Sequence, residues 1–305
     1  MPSGKSILVT GAAGRMGSIG RMLTQYLIER GEAVRALVRT DDERADALRQ
    51  LGAEVIVGNL LDLDAVHRAI EGCESIYFSM SVADSYLAAT VNAAAVAKHH
   101  GVKAFVNISQ MSVAQMSVFE TTPSPQHKLH WLAEQALQWS GLPVVYVRPT
   151  VFAENFFLRF AAPSVKEHNE IRLPFGDGKT SPVAADDVAR SLAAILVDPK
   201  PHIGAIYHLT GPESEDMRYY AAEYTAALGR TITYRDIPVE PWRETLVKRG
   251  MAPHLIDHLC AMANLHRAGR YDRMTNDVFD LTGQKATSVR EFVRRHGNAF
   301  TVDPA

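Results

Sequence analysis

The chain has 305 residues, 47% of them hydrophobic and 22% charged, which is enough for one large globular unit or two ordinary domains. Lys and Arg total 32 and Asp and Glu total 34, and neither sign is concentrated in one segment. This balance argues against nucleic acid or an anionic membrane surface as the main partner, because either calls for a concentrated positive field. A small-molecule ligand is therefore expected.

Cysteine usage and hydropathy narrow the class further. Two distant cysteines, Cys73 and Cys260, exclude a disulfide scaffold and any CxxC metal or redox motif. No stretch approaches the roughly 20 apolar residues that span a bilayer, and no apolar signal-peptide region follows Met1. His254 and His258 have metal-ligand spacing but no third ligand, so we predict a solvated helix face and no metal site. A cytoplasmic protein without a membrane partner is expected.

In the first half, short apolar runs alternate with segments of helical periodicity. The predicted strands are Ser6–Thr10, Ala33–Val38, Glu54–Val57, Ser75–Phe78, Lys103–Ile108 and Val144–Val147. The predicted helices between them cover about residues 16–30, Asp42–Leu51, Asp64–Ile70, 85–100 and 126–140. This alternation predicts an α/β fold with right-handed crossovers and a doubly wound, parallel Rossmann sheet.

After Pro149 the alternation weakens and the sequence becomes mostly helical, with an unusually aromatic segment at Phe152–Phe160. Ala185–Val197 reads as an amphipathic helix, and Ile206–Leu209 reads as a strand that extends the same sheet. We therefore predict a Rossmann domain from residues 1–150 plus about 182–211. A smaller, mostly helical lobe for substrate binding is predicted from about 151–181 and 212–305.

The glycine-rich sequence Gly11-Ala12-Ala13-Gly14-Arg15-Met16-Gly17 lies between the first strand and the first helix. Gly11 permits a tight turn, Gly14 lets the backbone approach a pyrophosphate, and Gly17 allows close helix packing. The free N–H groups of the helix N-terminus suit a phosphate anion. In this strand–turn–helix setting, the motif predicts a dinucleotide site that includes Ala13, Arg15 and Met16.

Residues 10–17, TGAAGRMG, resemble the turn of the extended and atypical short-chain dehydrogenases/reductases. Three further segments are similar to the NmrA-like group within them. These are LVR at 37–39, HWLAEQALQWSGLPVVYVRPTVFAENF at 130–156 and LTGQKATSVREFVRRH at 281–296. The resemblance covers essentially the whole chain and implies a nicotinamide dinucleotide as the cofactor.

The second strand ends in Arg39, where an NAD-preferring domain commonly has an acidic residue that binds the ribose 2′-hydroxyl. A guanidinium group at this place favours a 2′-phosphate, so NADP(H) is preferred, with Arg15 as a second contact. Asp41 and Asp42 follow closely and keep NAD(H) open. The ends of the third and fourth strands should also line the cofactor. The residues predicted there are Asn59, Leu60, Ser79 and Met80.

The resemblance also exposes a missing feature, because the Tyr-x-x-x-Lys pair of ordinary superfamily members is absent. Gln126 and His130 stand at the corresponding positions, which argues against the usual alcohol-dehydrogenase chemistry and against the alternative of sugar-nucleotide epimerisation. Helical periodicity predicts Leu129, Leu132, Ala133 and Ala136 as the buried stripe of this helix, with His130 on its flank. From there His130 could donate a proton as the candidate catalytic residue, and Glu134 could stabilise its charged form.

Hydride delivery to a readily reduced acceptor remains feasible without a strong acid. Quinones, azo compounds and cationic conjugated dyes fit this chemistry, and the resemblance points to the same acceptors. The alternative is a non-catalytic redox sensor that binds NADP(H) and acts through a protein partner. The oligomeric state stays open, with a homodimer among the alternatives. The residues predicted to bind substrate are Ser109, Met111, Phe152, Asn155, Phe156 and Phe175.

Overall fold

A computed structural model describes residues 6–14 and 19–301 and contains a seven-stranded sheet in which all neighbouring strands are parallel. Its strand order is β3-β2-β1-β4-β5-β6-β8. The strands are β1 (Ser6–Thr10), β2 (Val34–Val38), β3 (Glu54–Val57), β4 (Cys73–Phe78), β5 (Ala104–Ile108), β6 (Val144–Pro149) and β8 (Ile206–Leu209). The direction of winding reverses between β1 and β4, and in open α/β sheets ligands bind outside the carboxyl ends of strands at such a point.

Helices cover both faces of this sheet, as the alternating pattern predicted. One face packs against α1 (Ile19–Glu29), α2 (Glu43–Leu51) and α7 (Ala185–Val197). The other packs against α3 (Leu63–Ile70), α4 (Tyr86–His99) and α5 (Pro125–Ser140). The strands are buried on both faces because each face is covered by apolar helix stripes. The predicted Rossmann fold is therefore confirmed.

The remaining elements build a second hydrophobic core between Val151 and Phe300. A two-stranded parallel sheet, β7 (Glu170–Leu173) with β9 (Thr233–Asp236), supplements its helices. The helices after β6 are α6 (Ala162–His168), α8 (Met217–Leu228), α9 (Val239–Lys248), α10 (Pro253–Arg267), α11 (Asp277–Thr282) and α12 (Val289–Arg295). Val278 of α11 packs with the Rossmann core instead, so this stretch departs from the predicted lobe boundaries.

The aromatic segment after β6 forms a π-helix at Glu154–Ala161, a form that is rare and frequent at functional sites. Its wide turns direct Phe156, Phe157 and Phe160 into the second core. Glu154 turns the other way and accepts the Ala185 N–H at the start of α7, with both carboxylate oxygens 3.0 Å from the nitrogen. This contact ties the π-helix to the Rossmann domain.

The predicted buried stripe of α5 is wrong. Leu129, Leu132 and Ala136 are only partly buried, whereas the inner face carries mainly polar side chains. The buried residues of this helix are Gln126, His127, His130, Ala133, Glu134 and Leu137. The reason is that α10 and α4 both pack against α5 and cover polar positions that an isolated amphipathic helix would expose.

His266 of α10 lies in the middle of the second core, between the rings of Phe175 and Tyr271. The ring centroids are 4.2 Å and 3.9 Å away, with interplanar angles of 10° and 6°. Its Nδ1 lies 2.8 Å from the Met262 carbonyl oxygen, and burial lowers the pKa of His266 to about 4. The neutral imidazole stabilises the folded chain through this stack, and protonation of His266 at low pH removes that stabilisation.

We predict that His266→Phe reduces the acid sensitivity of folding, because phenylalanine keeps the stack and cannot take up a proton. In the wild type, the unfolded chain binds a proton on this residue below pH 6.5 while the folded chain stays neutral down to about pH 4. Stability is therefore lost as pH falls through that window, by about 1.4 kcal/mol per pH unit. Urea unfolding of the wild type and the variant at pH 7.5 and pH 4.5 measures the loss in free energy of unfolding. Equal losses of stability in the wild type and in His266→Phe would contradict the assignment of His266 as an acid-sensitive group.

Candidate functional site

A cleft opens above the carboxyl ends of β1, β4, β5 and β6, and the second core closes its far side. The glycine turn and the strand-end loops contribute Gly11, Gly14, Ser79, Met80, Ser109, Met111, Ser112 and Thr150. His130 of α5 also lines it. The opposite wall consists of Phe152, Asn155, Phe156, Arg159, Phe160, Leu255, His258, Leu259, Met262 and Tyr271. The cleft thus lies at the reversal of strand order, where the topology predicts a ligand.

Two hydrogen bonds hold the glycine turn against the end of β4. The Thr10 hydroxyl donates to the Ser79 carbonyl oxygen and accepts the Ser79 N–H, each at 2.8 Å. Gly11 has φ +67°, and a Cβ there would lie 3.1 Å from the same carbonyl oxygen. Glycine is therefore required at this position by both conformation and space.

Gly20, which the motif analysis missed, lets the first helix approach the turn. A Cβ at Gly20 would lie 2.7 Å from the Ala12 Cα and 2.8 Å from the Gly11 carbonyl oxygen. Its sequence signal was a further glycine three residues beyond Gly17. The predicted contacts Arg15, Met16 and Gly17 themselves lie outside the described residues.

The end of β2 carries a positive charge that nearby acids do not neutralise. Arg39 is exposed, and within the described part of the chain it has no carboxylate partner. Asp41 instead pairs with Arg49 at 2.7 Å, and Asp42 caps α2 and pairs with Arg44. The two carboxylates that kept NAD(H) open are thus both engaged by arginines.

Arg44 was not singled out by the sequence, yet it connects α2 to the glycine turn. Its Nη1 donates to the Ala13 carbonyl oxygen at 3.0 Å. This contact orients Ala13, whose side chain packs with the sheet core and does not line the cleft. A second guanidinium group therefore lies at the same edge of the site as Arg39.

Asn59 and Leu60, predicted to line the cofactor, form hydrogen bonds within and around the loop after β3. The Asn59 side-chain oxygen accepts the Leu61 N–H at 3.1 Å and so forms an Asx turn. Asn59 is exposed. The Leu60 carbonyl oxygen accepts from Asn92 at 3.1 Å. Neither residue lines the cleft, although both lie at the carboxyl edge of the sheet.

The floor of the cleft contains buried polar atoms that have no hydrogen-bond partner among the described residues. The hydroxyls of Ser109, Ser112 and Thr150 and the Nδ1 of His130 are all buried and unpaired. Unpaired buried polar atoms are costly, so such a group calls for a polar ligand or ordered water. Together with the glycine cradle, these atoms fit the polar end of a dinucleotide.

His130 lies on the inner face of α5 and is only 5% exposed. Its ring contacts Tyr86 at 4.1 Å between centroids, and the Tyr86 hydroxyl donates to the Ile108 carbonyl oxygen at 3.1 Å. Burial lowers the pKa of His130 to about 3, and His258 adds to the effect. The imidazole is therefore neutral at physiological pH, which corrects the expected role as a charged acid.

Glu134 does not stabilise a protonated His130, contrary to expectation. Its carboxylate pairs with Arg148 of β6 in a two-point contact, at 3.0 Å from Nε and 2.5 Å from Nη2. Both side chains are largely buried, and this pair holds α5 on the sheet edge. His130 and Glu134 do lie four residues apart on one helix, but the Glu134 carboxylate binds Arg148 of β6 and not His130.

His258 is buried and faces the cleft, so the predicted solvated helix face is wrong there. The Ser124 hydroxyl lies 2.8 Å from the His258 Nδ1, and its oxygen accepts the His127 N–H at the start of α5. When Ser124 donates to Nδ1, the neutral ring carries its proton on Nε2. Burial lowers the pKa of His258 well below its usual range.

The two positions that correspond to the missing Tyr and Lys differ in location. Gln126 lies away from the cleft lining, and its Oε1 is 2.8 Å from the His254 Nε2. His130 lines the cleft. The first position therefore has no acid to offer, and the second has a neutral imidazole.

The apolar wall combines predicted and unpredicted residues. Phe152, Asn155 and Phe156 line the cleft as predicted, whereas Phe175 does not. Phe175 is fully buried behind Phe156, edge to face at 4.8 Å between ring centroids. Its side chain supports the wall from the core side, because the stack with His266 fixes it there.

The fold and cleft define a Rossmann-type dinucleotide-binding protein with a separate apolar wall. The sequence profile of the NmrA-like family matches residues 3–297, so the chain belongs to this family. The predicted family membership is confirmed.

The chain is similar to named proteins over nearly its full length and nearly theirs. The chain is 29% identical over 294 residues to a (4-alkanoyl-5-oxo-2,5-dihydrofuran-3-yl)methyl phosphate reductase of Streptomyces griseus, covering 96% of this chain and 99% of that protein. It is 28% identical to an NAD(P)H azoreductase of Xenophilus azovorans, with the same coverage. A crystal structure of an NADPH-dependent quinone oxidoreductase of Escherichia coli in complex with NADPH superimposes with a TM-score of 0.82 and 26% identity, over 96% of this chain and 100% of that one.

Across residues 6–14 and 19–301, no group of three or more His, Cys, Asp or Glu side chains could hold a metal ion. In the same residues, no helix combines the length and apolarity needed to cross a membrane.

Proposed function

We propose that this protein is an NAD(P)H-dependent reductase that delivers hydride to a conjugated electrophilic acceptor, such as a quinone or an azo compound. The observation that carries the proposal is the cleft itself. It joins a glycine cradle to an apolar aromatic wall, and apart from the Arg159 guanidinium group its described polar groups are hydroxyls, amides and neutral imidazoles. The reductase names of the full-length relatives support the same class.

The residues of the cleft divide into two ends. Gly11, Gly14 and Ser79 hold the dinucleotide, while Ser109, Ser112 and Thr150 satisfy its polar groups near the acceptor. When bound, the dinucleotide supplies two electrons and one hydrogen as hydride. The acceptor takes up that hydride and one proton, so that a quinone leaves as a hydroquinone and an azo group as a hydrazine.

Neutral His130 and His258 are proposed as hydrogen-bond donors to the acceptor and not as charged acids. Both rings reach the cleft, and the Ser124 hydroxyl lies 2.8 Å from the His258 Nδ1, which leaves the His258 Nε2 as the donor when Ser124 donates to Nδ1. The proton is then drawn through these donors from water. Conjugated acceptors suit this arrangement because the negative charge left by hydride addition is delocalised, so that no charged acid has to protonate the acceptor first.

The preferred cofactor is proposed to be NADP(H). Arg39 lies at the end of β2, and the neighbouring carboxylates are engaged elsewhere, Asp41 by Arg49 and Asp42 by Arg44. A 2′-phosphate at this edge gains a charge-assisted contact, whereas a 2′-hydroxyl finds no free carboxylate among the described residues.

We expect the purified protein to oxidise NADPH when offered a panel of quinones and azo dyes, well above the enzyme-free rate. Absorbance at the NADPH band measures turnover, and fluorescence titration measures binding separately. Bound NADPH without turnover on any acceptor would sink the reductase proposal and favour the redox sensor. The sensor predicts that cofactor state changes capture of a protein partner without consumption of NADPH.

Arg39→Glu should weaken NADPH binding on the order of 10- to 100-fold and leave NADH nearly unchanged, because a hydrogen bond between charged groups contributes about 1.5–3 kcal/mol. Calorimetric Kd values for the two cofactors check this. Arg68→Glu, an exposed change on α3, is the matched control. Equal losses for both cofactors would contradict the 2′-phosphate role.

Removing the donors should slow acceptor reduction. His130→Ala and His258→Ala are each expected to reduce kcat by about fivefold, since a neutral hydrogen bond contributes about 1 kcal/mol. Because burial lowers both pKa values, the wild-type rate should show no histidine inflection between pH 6 and 8. An inflection near pH 6.5 that disappears in His130→Ala would restore the charged-acid role. Unchanged kcat and unchanged affinity would remove that residue from the site.

A further inference from the structure

A buried hydrogen bond joins the start of α5 to α10. The Ser124 hydroxyl oxygen lies 2.8 Å from the His258 Nδ1, and the two residues are 1% and 4% exposed. They are 134 residues apart in the chain and meet because α10 packs on α5. His258 lines the cleft, whereas Ser124 does not. Ser124 can therefore act on a ligand only through the imidazole ring.

The hydrogen bonds of Ser124 determine which atom donates in this contact. Its oxygen accepts the His127 N–H at 3.2 Å and so caps the first turn of α5. Among the described residues, the His258 Nδ1 is the one acceptor within reach of the buried hydroxyl hydrogen. If Nδ1 carried the proton instead, that hydrogen would be buried without a partner, which is costly. The hydroxyl therefore donates to Nδ1, and the ring carries its own proton on Nε2.

The charge state of His258 makes this choice of nitrogen decisive. Burial lowers the pKa of His258 well below its usual range, and the neighbouring His127 of α5 and His254 of α10 lower it further. A neutral imidazole has one N–H, so its second nitrogen offers only a lone pair. Because Nδ1 is turned to Ser124, the side of the ring that carries Nε2 is left for the cleft. Ser124 therefore decides whether a ligand meets a donor or an acceptor there.

The two histidines of α5 do not share this combination. His130 lines the cleft near His258, but its Nδ1 is buried without a hydrogen-bond partner among the described residues. His127 has the Thr122 hydroxyl oxygen 2.9 Å from its Nδ1 but does not line the cleft. His258 thus unites a position in the cleft with a buried partner that fixes its tautomer.

Building on the proposed reductase function, we infer that Ser124 is a positioning residue for acceptor reduction. Its hydroxyl holds His258 in the Nε2–H form, and this N–H donates a hydrogen bond to the acceptor atom that becomes negative, a carbonyl oxygen of a quinone or the second nitrogen of an azo group. Hydride adds to the acceptor as an electron pair with one hydrogen, the Nε2–H stabilises the resulting anion, and a proton from water completes the reduction. The opposite tautomer would direct a lone pair at the same atom and repel its charge.

Kinetics of Ser124 variants with a quinone and saturating NADPH test this role. Ser124→Ala should reduce kcat about two- to fivefold, because both tautomers of His258 become populated. Ser124→Thr should restore most of this loss, since threonine keeps the hydroxyl. Ser124→Ala should have no further effect on kcat in the His258→Ala background, because Ser124 acts through that ring. A merely structural role would repeat its cost there.

Ser124→Asp separates the helix cap from the hydrogen-bond donor. Aspartate caps a helix as well as serine does, but its carboxylate accepts from Nδ1 and leaves a lone pair on Nε2. The same carboxylate should raise the pKa of His258 in the variant. Below that pKa the imidazolium donates from both nitrogens and kcat should be high, whereas above it kcat should fall at least about fivefold. A pH profile of kcat measures this inflection, which the wild type should lack.

Nitrogen NMR of histidine-labelled protein reads the tautomer without turnover. The His258 signals, assigned by their loss in His258→Ala, should show an unprotonated Nδ1 and a protonated Nε2 in the wild type, and the reverse in Ser124→Asp at high pH. Ser288→Ala is the matched control, because it removes a serine cap of the same kind from α12. It should lower Tm as much as Ser124→Ala does and leave kcat and the His258 tautomer unchanged.

The outcomes separate this inference from the proposed function. Turnover with an unchanged kcat in Ser124→Ala, or a loss that recurs in the His258→Ala background, overturns the inference and leaves the reductase function standing. A protonated Nδ1 on the wild-type His258 overturns it independently of any rate. If no acceptor is reduced, the reductase function fails and the positioning role fails with it, whatever tautomer the NMR spectrum shows.

Discussion

The pair of hydrogen bonds between Thr10 and Ser79 is the constraint from which the site is built. It joins the carboxyl ends of β1 and β4, the two strands between which the winding of the sheet reverses. Gly11 can pass this junction only because it has no Cβ, and Gly20 lets α1 follow directly above the turn. The cradle, the cleft above it and the direction of the helix N-terminus all depend on that close approach.

The Rossmann half could be predicted because its information is local. Each strand is a short apolar run and each helix has its own periodicity, so β1 to β6 and their helices follow from the residues within them. Elements that depend on distant partners were missed. β7 pairs with β9 some sixty residues later, and the π-helix is fixed by Phe156 and Phe160 packing into a core from α8 to α12.

In the candidate site too, positions that follow from the sheet topology could be predicted, whereas positions that depend on distant contacts could not. Positions at strand ends, such as Ser79, Ser109 and Met111, follow from topology and do line the cleft. Helix faces were harder, because amphipathic reasoning assigns polar residues to solvent. His130, predicted on the helix flank, does line the cleft, but its burial and the approach of His258 depend on the packing of α10 on α5 and could not be read from either helix alone. Phe175 illustrates the opposite error, an aromatic ring that serves the core and not the cleft.

Burial of these histidines has an electrostatic consequence for the whole cleft. Because burial keeps these imidazoles neutral, Arg159 is the one side chain with a formal charge in the described lining of the cleft, and Arg39 and Arg44 lie outside that lining. Neutral donors beside an apolar wall leave the recognition of a reactive group to hydrogen bonds and apolar contact.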